Sequence, residues 1–264
     1  MNNFESKINY CCVECKTLLT FDEKIIKCSK CNIIFSQYVE GIPLFCDVDK
    51  NSKNKKILGL ATKLFSSPKF YDSMIRLKAC ISSDAHLGID GFVNDSFVLN
   101  IGCGSNVEAD NLEYDIRKIK GFHAIDSSKE FVVAAKERCS IRNAKFSIAS
   151  ADKLPYADKA FDVSILAFVL HHLPFSPLIA LEEAMRVSGK YVIVYDHIKS
   201  DNFFIGSIQN IYWRIFDGGF HYLTSSQWDE VLDKFQIIKK IQTGGIGKHV
   251  IKFVLERKNL VTPF

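Results

Sequence analysis

The residues best suited to chemistry fall into two groups. Near the N-terminus, Cys12-Val13-Glu14-Cys15 and Cys28-Ser29-Lys30-Cys31 are two Cys-x-x-Cys pairs with twelve residues between them. Each pair suits a tight knuckle that turns two sulfurs to one side. Two knuckles at the ends of a hairpin supply four thiolates in a tetrahedron, the donor set of a structural Zn²⁺ ion. Four sulfurs leave no open coordination position, so Cys12, Cys15, Cys28 and Cys31 are read as a structural and docking site. Cys11 adjoins the first ligand, but its spacing to Cys15 does not fit the knuckle. The second group begins at Gly102-Cys103-Gly104-Ser105-Asn106, directly after the apolar run Phe97 to Ile101. Two glycines one residue apart let the chain turn sharply and let a ligand approach the backbone without a Cβ in the way. A second apolar run, Gly121 to Ile125, ends in Asp126. An acidic residue about 20 residues past such a turn, at the end of the second strand, stands where a ribose hydroxyl pair is usually held in this architecture.

Strands that carry these residues fit 97–101, 121–125, 145–149, 161–166 and 190–195, and helices fit Val107 to Ile119 and Lys129 to Cys139. In the second helix Phe131, Val132, Ala135 and Cys139 share one face. Alternating strands and helices imply a parallel sheet covered on both faces, with ligands bound beyond the carboxyl ends of the strands. Thr224-Ser225-Ser226-Gln227 reads as a capping box, followed at helical spacing by Trp228, Val231, Leu232 and Phe235. Gln236 to Gln242 and Lys248 to Arg257 flank a glycine-rich turn and read as a hairpin. Ahead of that helix lie Phe203, Phe204, Tyr212, Trp213, Phe216, Phe220 and Tyr222, which suit an acceptor pocket and a packed lid helix equally. In the N-terminal unit, Leu18 to Phe21 and Ile25 to Lys27 read as the strands of the hairpin. Asp47 to Lys56 carries four lysines and fits a solvated linker better than a phosphate-binding patch. The helical spacing from Ile57 to Leu77 breaks at Pro68; Phe70 and Tyr71 within it fit packing better than ligand contact.

At 264 residues, with 47% hydrophobic and 12% aromatic content, the chain has room for one α/β domain and a small second unit. The net charge of +4 is too small to imply nucleic acid by itself. Nine cysteines, an odd number, fit thiols and metal ligands in a reducing compartment better than a disulfide framework. There is no apolar run of membrane-spanning length and no apolar signal core at Met1 to Glu5, so a cytoplasmic location is expected. The divisions expected are 1–47 for the metal unit, 48–94 for a linker and N-terminal helices, and 95–258 for the α/β domain, with an aromatic insert around 198–223.

Further residues make the glycine turn specific. Ser150-Ala151-Asp152-Lys153-Leu154-Pro155-Tyr156 leads through Ala157 to Ala160 into Phe161-Asp162-Val163-Ser164-Ile165-Leu166, and His171-His172-Leu173 follows. Taken with the turn and Asp126, this order resembles the motifs of class I S-adenosylmethionine (SAM)-dependent methyltransferases, nearest to the ubiquinone/menaquinone-biosynthesis type, over residues 97 to 196. The resemblance implies a doubly wound, Rossmann-like seven-stranded sheet in the order 3-2-1-4-5-7-6, closed by an antiparallel hairpin. It implies that Gly102, Cys103 and Gly104 lie against the methionine part of SAM, that Asp126 binds the ribose and that Ser127 borders the adenine. Ala151 would meet the adenine through its backbone N–H, and Ala167 or Phe168 would lie beneath the sulfonium. The metal unit, with Gly41-Ile42-Pro43 after it, resembles the zinc ribbon fused ahead of many such enzymes, and also the free-standing zinc-binding activator of tRNA and protein methyltransferases.

Three positions depart from the family pattern. Asn100 stands where an acidic residue is most common, Asn106 replaces a third glycine, and Ser150 replaces an aspartate, with Asp152 two residues later as a substitute. Losing a charged hydrogen bond at such a place costs about 1 kcal/mol or more. No catalytic base stands out; His171, His172, His197 and His221 qualify by residue type, and a structural role suits the adjacent pair better. The leading reading is methyl transfer to a small-molecule or lipid-like acceptor. An RNA base methyltransferase with a docking zinc domain is less favoured, and a non-catalytic SAM-fold binding protein is the third reading.

Overall fold

The computed structural model describes residues 9–22, 25–36, 38–46, 88–105, 115–243 and 249–258. Seven strands form the main sheet: β6 (Phe97–Ile101), β7 (Gly121–Asp126), β8 (Lys145–Ile148), β9 (Phe161–Ala167), β10 (Ser188–His197), β11 (Phe235–Thr243) and β12 (Val250–Arg257). Their order across the sheet is β11-β12-β10-β9-β6-β7-β8. Counted along the chain within the sheet and read from the β8 edge, that is 3-2-1-4-5-7-6. The first five strands are parallel, and β12 runs antiparallel between β10 and β11.

Successive strand residues point to opposite faces, and both faces of this sheet are covered. Leu99, Ile101 and Leu166 join an apolar cluster on one face, while Val98, Val163 and Ile165 join a second on the other. All six are fully buried, which is why these strands read as continuous apolar runs. The strand order reverses between β6 and β9, so the turn after β6 opens at the switch point where such folds bind ligands.

Helices α1 (Asp90–Val93), α2 (Lys129–Arg138), α3 (Pro177–Val187), α4 (Phe203–Phe216) and α5 (Ser225–Leu232) are the described α-helices. The expected helix from Val107 to Ile119 lies partly outside the described residues; its end is a 3-10 turn at Ile116–Lys118. There the Asp115 carboxylate accepts the Arg117 N–H and grips the Arg117 guanidinium at 2.8 Å, a local contact that competes with helical bonding. The linker lysines, Phe70 and Tyr71 also lie outside the described residues. No helix among the described residues is long and apolar enough to cross a membrane.

At the start of α5 the Thr224 hydroxyl accepts the Gln227 N–H at 3.4 Å, and the Gln227 side chain accepts the Thr224 N–H at 2.9 Å. Thr224→Ala should cost about 1 kcal/mol. For a domain of this size, that lowers the melting temperature by roughly 2–4 °C. Thermal unfolding of the two proteins checks this.

The N-terminal unit has a three-stranded sheet of β1 (Thr20–Asp22), β2 (Ile25–Lys27) and β3 (Ile34–Ser36), in that order. The third strand was not apparent from the sequence. A small ladder of β4 (Tyr38–Val39) and β5 (Ile42–Pro43) follows. This unit is joined to the main domain through a common core. Cys12, Leu19, Ile26, Cys28 and Phe45 belong to the same apolar cluster as Leu99 and Ile101. The Phe45 N–H donates to the Ile148 carbonyl at 2.8 Å, and Leu44 bridges Ile148 in parallel, so the unit's tail lies along the edge strand β8. The Tyr10 ring stacks on Phe45 at 5.0 Å and tilts over Tyr156 at 5.5 Å. A unit of some 40 residues too small to make its own core has gained one by sharing the domain's.

Candidate active site

The glycine turn after β6 is set by two backbone conformations that disfavour other residues. Gly102 has φ +70° and Gly104 φ +54°. A Cβ on Gly102 would sit 2.2 Å from Val169 Cγ2, so the turn is closed against the loop that follows β9. Gly102→Ala should therefore strain the backbone by roughly 1–2 kcal/mol and displace Val169 as well. Adding Val169→Ala to it should restore only the part of the stability lost to the clash, since the φ strain persists. Chemical denaturation of wild type, single and double variants separates the two contributions.

Asp126 ties the turn to the second strand. Its Oδ2 accepts the Gly104 N–H at 3.1 Å and its Oδ1 accepts the Ser128 N–H at 2.8 Å. The Cys103 N–H donates to the Ile125 carbonyl at 2.8 Å, and Cys103 is buried. Ser127 lies half-buried between Asp126 and α2. Asn100 sits inside the sheet, buried between Ala124 and Ile165, two residues short of the turn. Ala167 ends β9 buried beside Tyr195, and Phe168 leaves the strand at φ +55°. That conformation is costly for an aromatic residue; the Phe168 N–H bond to the Tyr195 carbonyl at 2.7 Å holds it.

The loop after β8 completes the edge. The Ala149 N–H donates to the Asp126 carbonyl at 3.0 Å, so the loop begins beside the end of β7. The Ser150 hydroxyl donates to the Asp152 carboxylate, bringing together the two residues the sequence offers in place of one aspartate. Ala151 is buried beside them. The N-terminal unit grips this loop at several points. The Cys11 N–H donates to the Pro155 carbonyl at 2.9 Å, the Ala157 N–H donates to the Asn9 carbonyl at 3.3 Å, and Lys153 pairs with Glu14 at 2.7 Å. From the other side, Glu183 accepts the Leu154 N–H at 2.8 Å and pairs with Lys16 and Arg186. Burial alone would raise the Glu183 pKa, but Arg186, Lys16 and the Leu154 N–H keep it below the usual value.

Beyond Ala167, the structure gathers residues that sequence spacing did not connect. His171 is buried, with Nδ1 2.6 Å from Asp196 Oδ1 and Nε2 2.9 Å from Asp217 Oδ2. His172 and His197 present their Nε2 atoms to the same Asp217 carboxylate at 3.8 and 3.6 Å. Burial pushes the His171 pKa down, but the two carboxylates outweigh it and raise it to about 9. Asp217 is pushed up by burial and held well below the usual range by His172, His171 and His197. Tyr222 stacks on His171 at 5.3 Å and donates its hydroxyl to Asp217 at 3.0 Å; Trp213 stacks on His197 at 5.1 Å. Of the four histidines, His221 stays outside this group and meets His171 only through its backbone N–H. The aromatic insert therefore divides, with Trp213 and Tyr222 packing on the histidines while Phe203, Phe204 and Phe220 face outward. Asp196 is the missed residue with a sequence signal, because it interrupts an apolar strand. Asp217 had none.

In the N-terminal unit the sulfurs of Cys12, Cys15, Cys28 and Cys31 lie within 4.8 Å of one another. The two knuckles are built alike. Lys16 and Asn32, each directly after a second cysteine, have φ near +57° and +56°. The Cys12 N–H reaches the Thr17 carbonyl, and the Cys28 N–H reaches the Ile33 carbonyl. Cys11 turns away toward Asn9. Thr17 lowers the Cys15 pKa to about 6, and the neighbouring Cys15 pushes Cys31 up to about 12. Four such thiols resist ionising together unless a cation sits among them, so the donor set fits zinc.

Residues 99–193 match the family described as methyltransferase domain. The ubiquinone/menaquinone biosynthesis C-methyltransferase UbiE of Rickettsia akari is 31% identical over 120 residues, covering 41% of this chain and 48% of that protein. The chain thus spans about half the length of this curated relative. Among solved structures, one similar fold is a Haloferax volcanii complex of the Trm112 methyltransferase activator with a protein assigned as a methyltransferase. Its TM-score is 0.59 at 12% identity, over 75% of this chain and 97% of that one. The YcgJ protein of Bacillus subtilis gives 0.53 at 16% identity, over 66% and 97%. These likenesses show the fold. Residues 99–193 thus carry a methyltransferase-domain match on the fold that these structures share.

Proposed function

We propose that the chain transfers methyl groups from SAM to a small-molecule or lipid-like acceptor, with a zinc ion held by Cys12, Cys15, Cys28 and Cys31. The observation that carries the cofactor assignment is Asp126, a half-buried carboxylate fixed by the Gly104 and Ser128 N–H groups at the switch point. Each oxygen retains acceptor capacity for a ribose hydroxyl. Gly102, Cys103 and Gly104 would lie along the methionine part, Ser127, Ser150, Ala151 and Asp152 around the adenine, and Asn100 and Ala167 below. The Ser150–Asp152 pair keeps a negative charge where the family pattern has one. Bound SAM would supply an electrophilic methyl group on its sulfonium. The chain's own task is then chiefly alignment, since a good nucleophile held in line needs little proton transfer.

Support for an apolar acceptor comes from α4, which exposes Phe203, Phe204, Ile208 and Ile211 and whose Trp213 stacks on His197. The test is incubation with methyl-labelled SAM of two fractions from the same cells, metabolites with lipids and total RNA. Label should enter the first fraction. Label confined to RNA would make the acceptor a nucleic acid. Label in neither, with SAM bound, would favour a binding protein.

A further inference from the structure

We propose that His171, His172 and Asp217 form a second metal site, which takes one divalent first-row transition-metal ion and is separate from the four-cysteine cluster. Their ligand atoms lie within 4.8 Å of one another. Two imidazoles and one carboxylate are a nitrogen–oxygen donor set suited to such ions and leave coordination positions open.

The observation pointing to a ligand is His171 Nε2. This atom is buried and has no aligned hydrogen-bond partner, although Asp217 Oδ2 stands 2.9 Å away. On the far side of the ring, Nδ1 lies 2.6 Å from Asp196 Oδ1, a contact that fixes a proton on Nδ1. In that tautomer the Nε2 lone pair faces the lone pairs of a carboxylate, an arrangement that calls for a cation between them. Without a metal, a proton on Nε2 supplies that cation, but its N–H is not aligned on the Asp217 oxygen 2.9 Å away. A metal ion takes both lone pairs at once from a position off the N···O line. The surroundings match what holds a ligating histidine and carboxylate elsewhere: Asp196 behind the imidazole, and the Tyr222 hydroxyl donating to Asp217 at 3.0 Å.

If the proposed methyl transfer is right, an ion here would stand next to the loop that closes on the glycine turn and would favour acceptors offering an oxygen ligand. The test needs neither SAM nor an acceptor, so it succeeds or fails independently of that reading. Protein with its four-cysteine site filled by zinc is titrated with Co²⁺. One further equivalent should bind, giving visible d–d absorption without the sulfur-to-metal charge-transfer band of a thiolate site. His172 is half-buried, so His172→Ala should leave the fold intact and weaken this binding by at least tenfold. Asp196→Asn, which alters the contact behind the imidazole and the carboxylate that also accepts the His171 and His197 N–H groups, should weaken it by about ten- to a hundredfold. Absence of a second equivalent would overturn the proposal, and so would a second equivalent bound equally well by His172→Ala.

Discussion

Removing the proposed zinc ion from the four-cysteine cluster should unfold far more than the N-terminal unit. Structural zinc sites contribute roughly 10–16 kcal/mol of apparent binding energy in small peptides. Whole domains have only about 5–15 kcal/mol of stability to lose. Here Cys12 and Cys28 are themselves buried in the cluster that contains Leu99 and Ile101 of the central strand. The unit also holds the loop after β8 through Cys11, Asn9 and Glu14. Cys28→Ser, which affects this site and not the histidine group, should therefore lower the melting temperature of the entire protein by more than about 10 °C. It should also weaken SAM binding. A variant that melts with the wild type would mean that the shared core stands without its metal.

The second large effect is expected at Asp126. Asp126→Ala removes both acceptors offered to the ribose diol. A hydrogen bond to a charged group is worth about 1.5–3 kcal/mol, so SAM affinity should fall by about ten- to a hundredfold. A carboxylate at the rim of the sheet that met only the ribose would leave the ligand-free protein indifferent to this change. The structure revises that, because the carboxylate also accepts the Gly104 and Ser128 N–H groups. A fall of a few degrees in melting temperature should accompany the loss of affinity. Asp126→Asn keeps the shape and an acceptor oxygen, and should fall between the two proteins in both measurements. Fluorescence-monitored SAM titration and thermal unfolding on the three proteins provide the comparison.

The features legible in the sequence were those encoded locally. Strands buried on both faces read as apolar runs, the turn at Gly102 and Gly104 read from its glycines, and the knuckles read from cysteine spacing. The capping box at Thr224 could be read in the same way, because both partners lie within four residues. What could not be read was contact between distant segments. Nothing in the ribbon's sequence indicates that Phe45 lies along β8 or that Tyr10 stacks near Tyr156, because those partners are about a hundred residues away or more. The histidine group was hidden for the same reason. His171, Asp196 and Asp217 come from the loop after β9, the end of β10 and the end of α4, and only the folded sheet edge brings them together. The short strand β3 was missed because it lies beyond the second knuckle, whereas β1 and β2 lie between the two cysteine pairs that marked them.

The central claim is that the carboxyl edge of this sheet is a SAM site. Isothermal titration of the metal-loaded wild-type protein with SAM and with S-adenosylhomocysteine tests it most directly. One molecule of either should bind per chain, and the two should compete. Absence of measurable binding of both by a correctly folded, zinc-containing protein would contradict the claim.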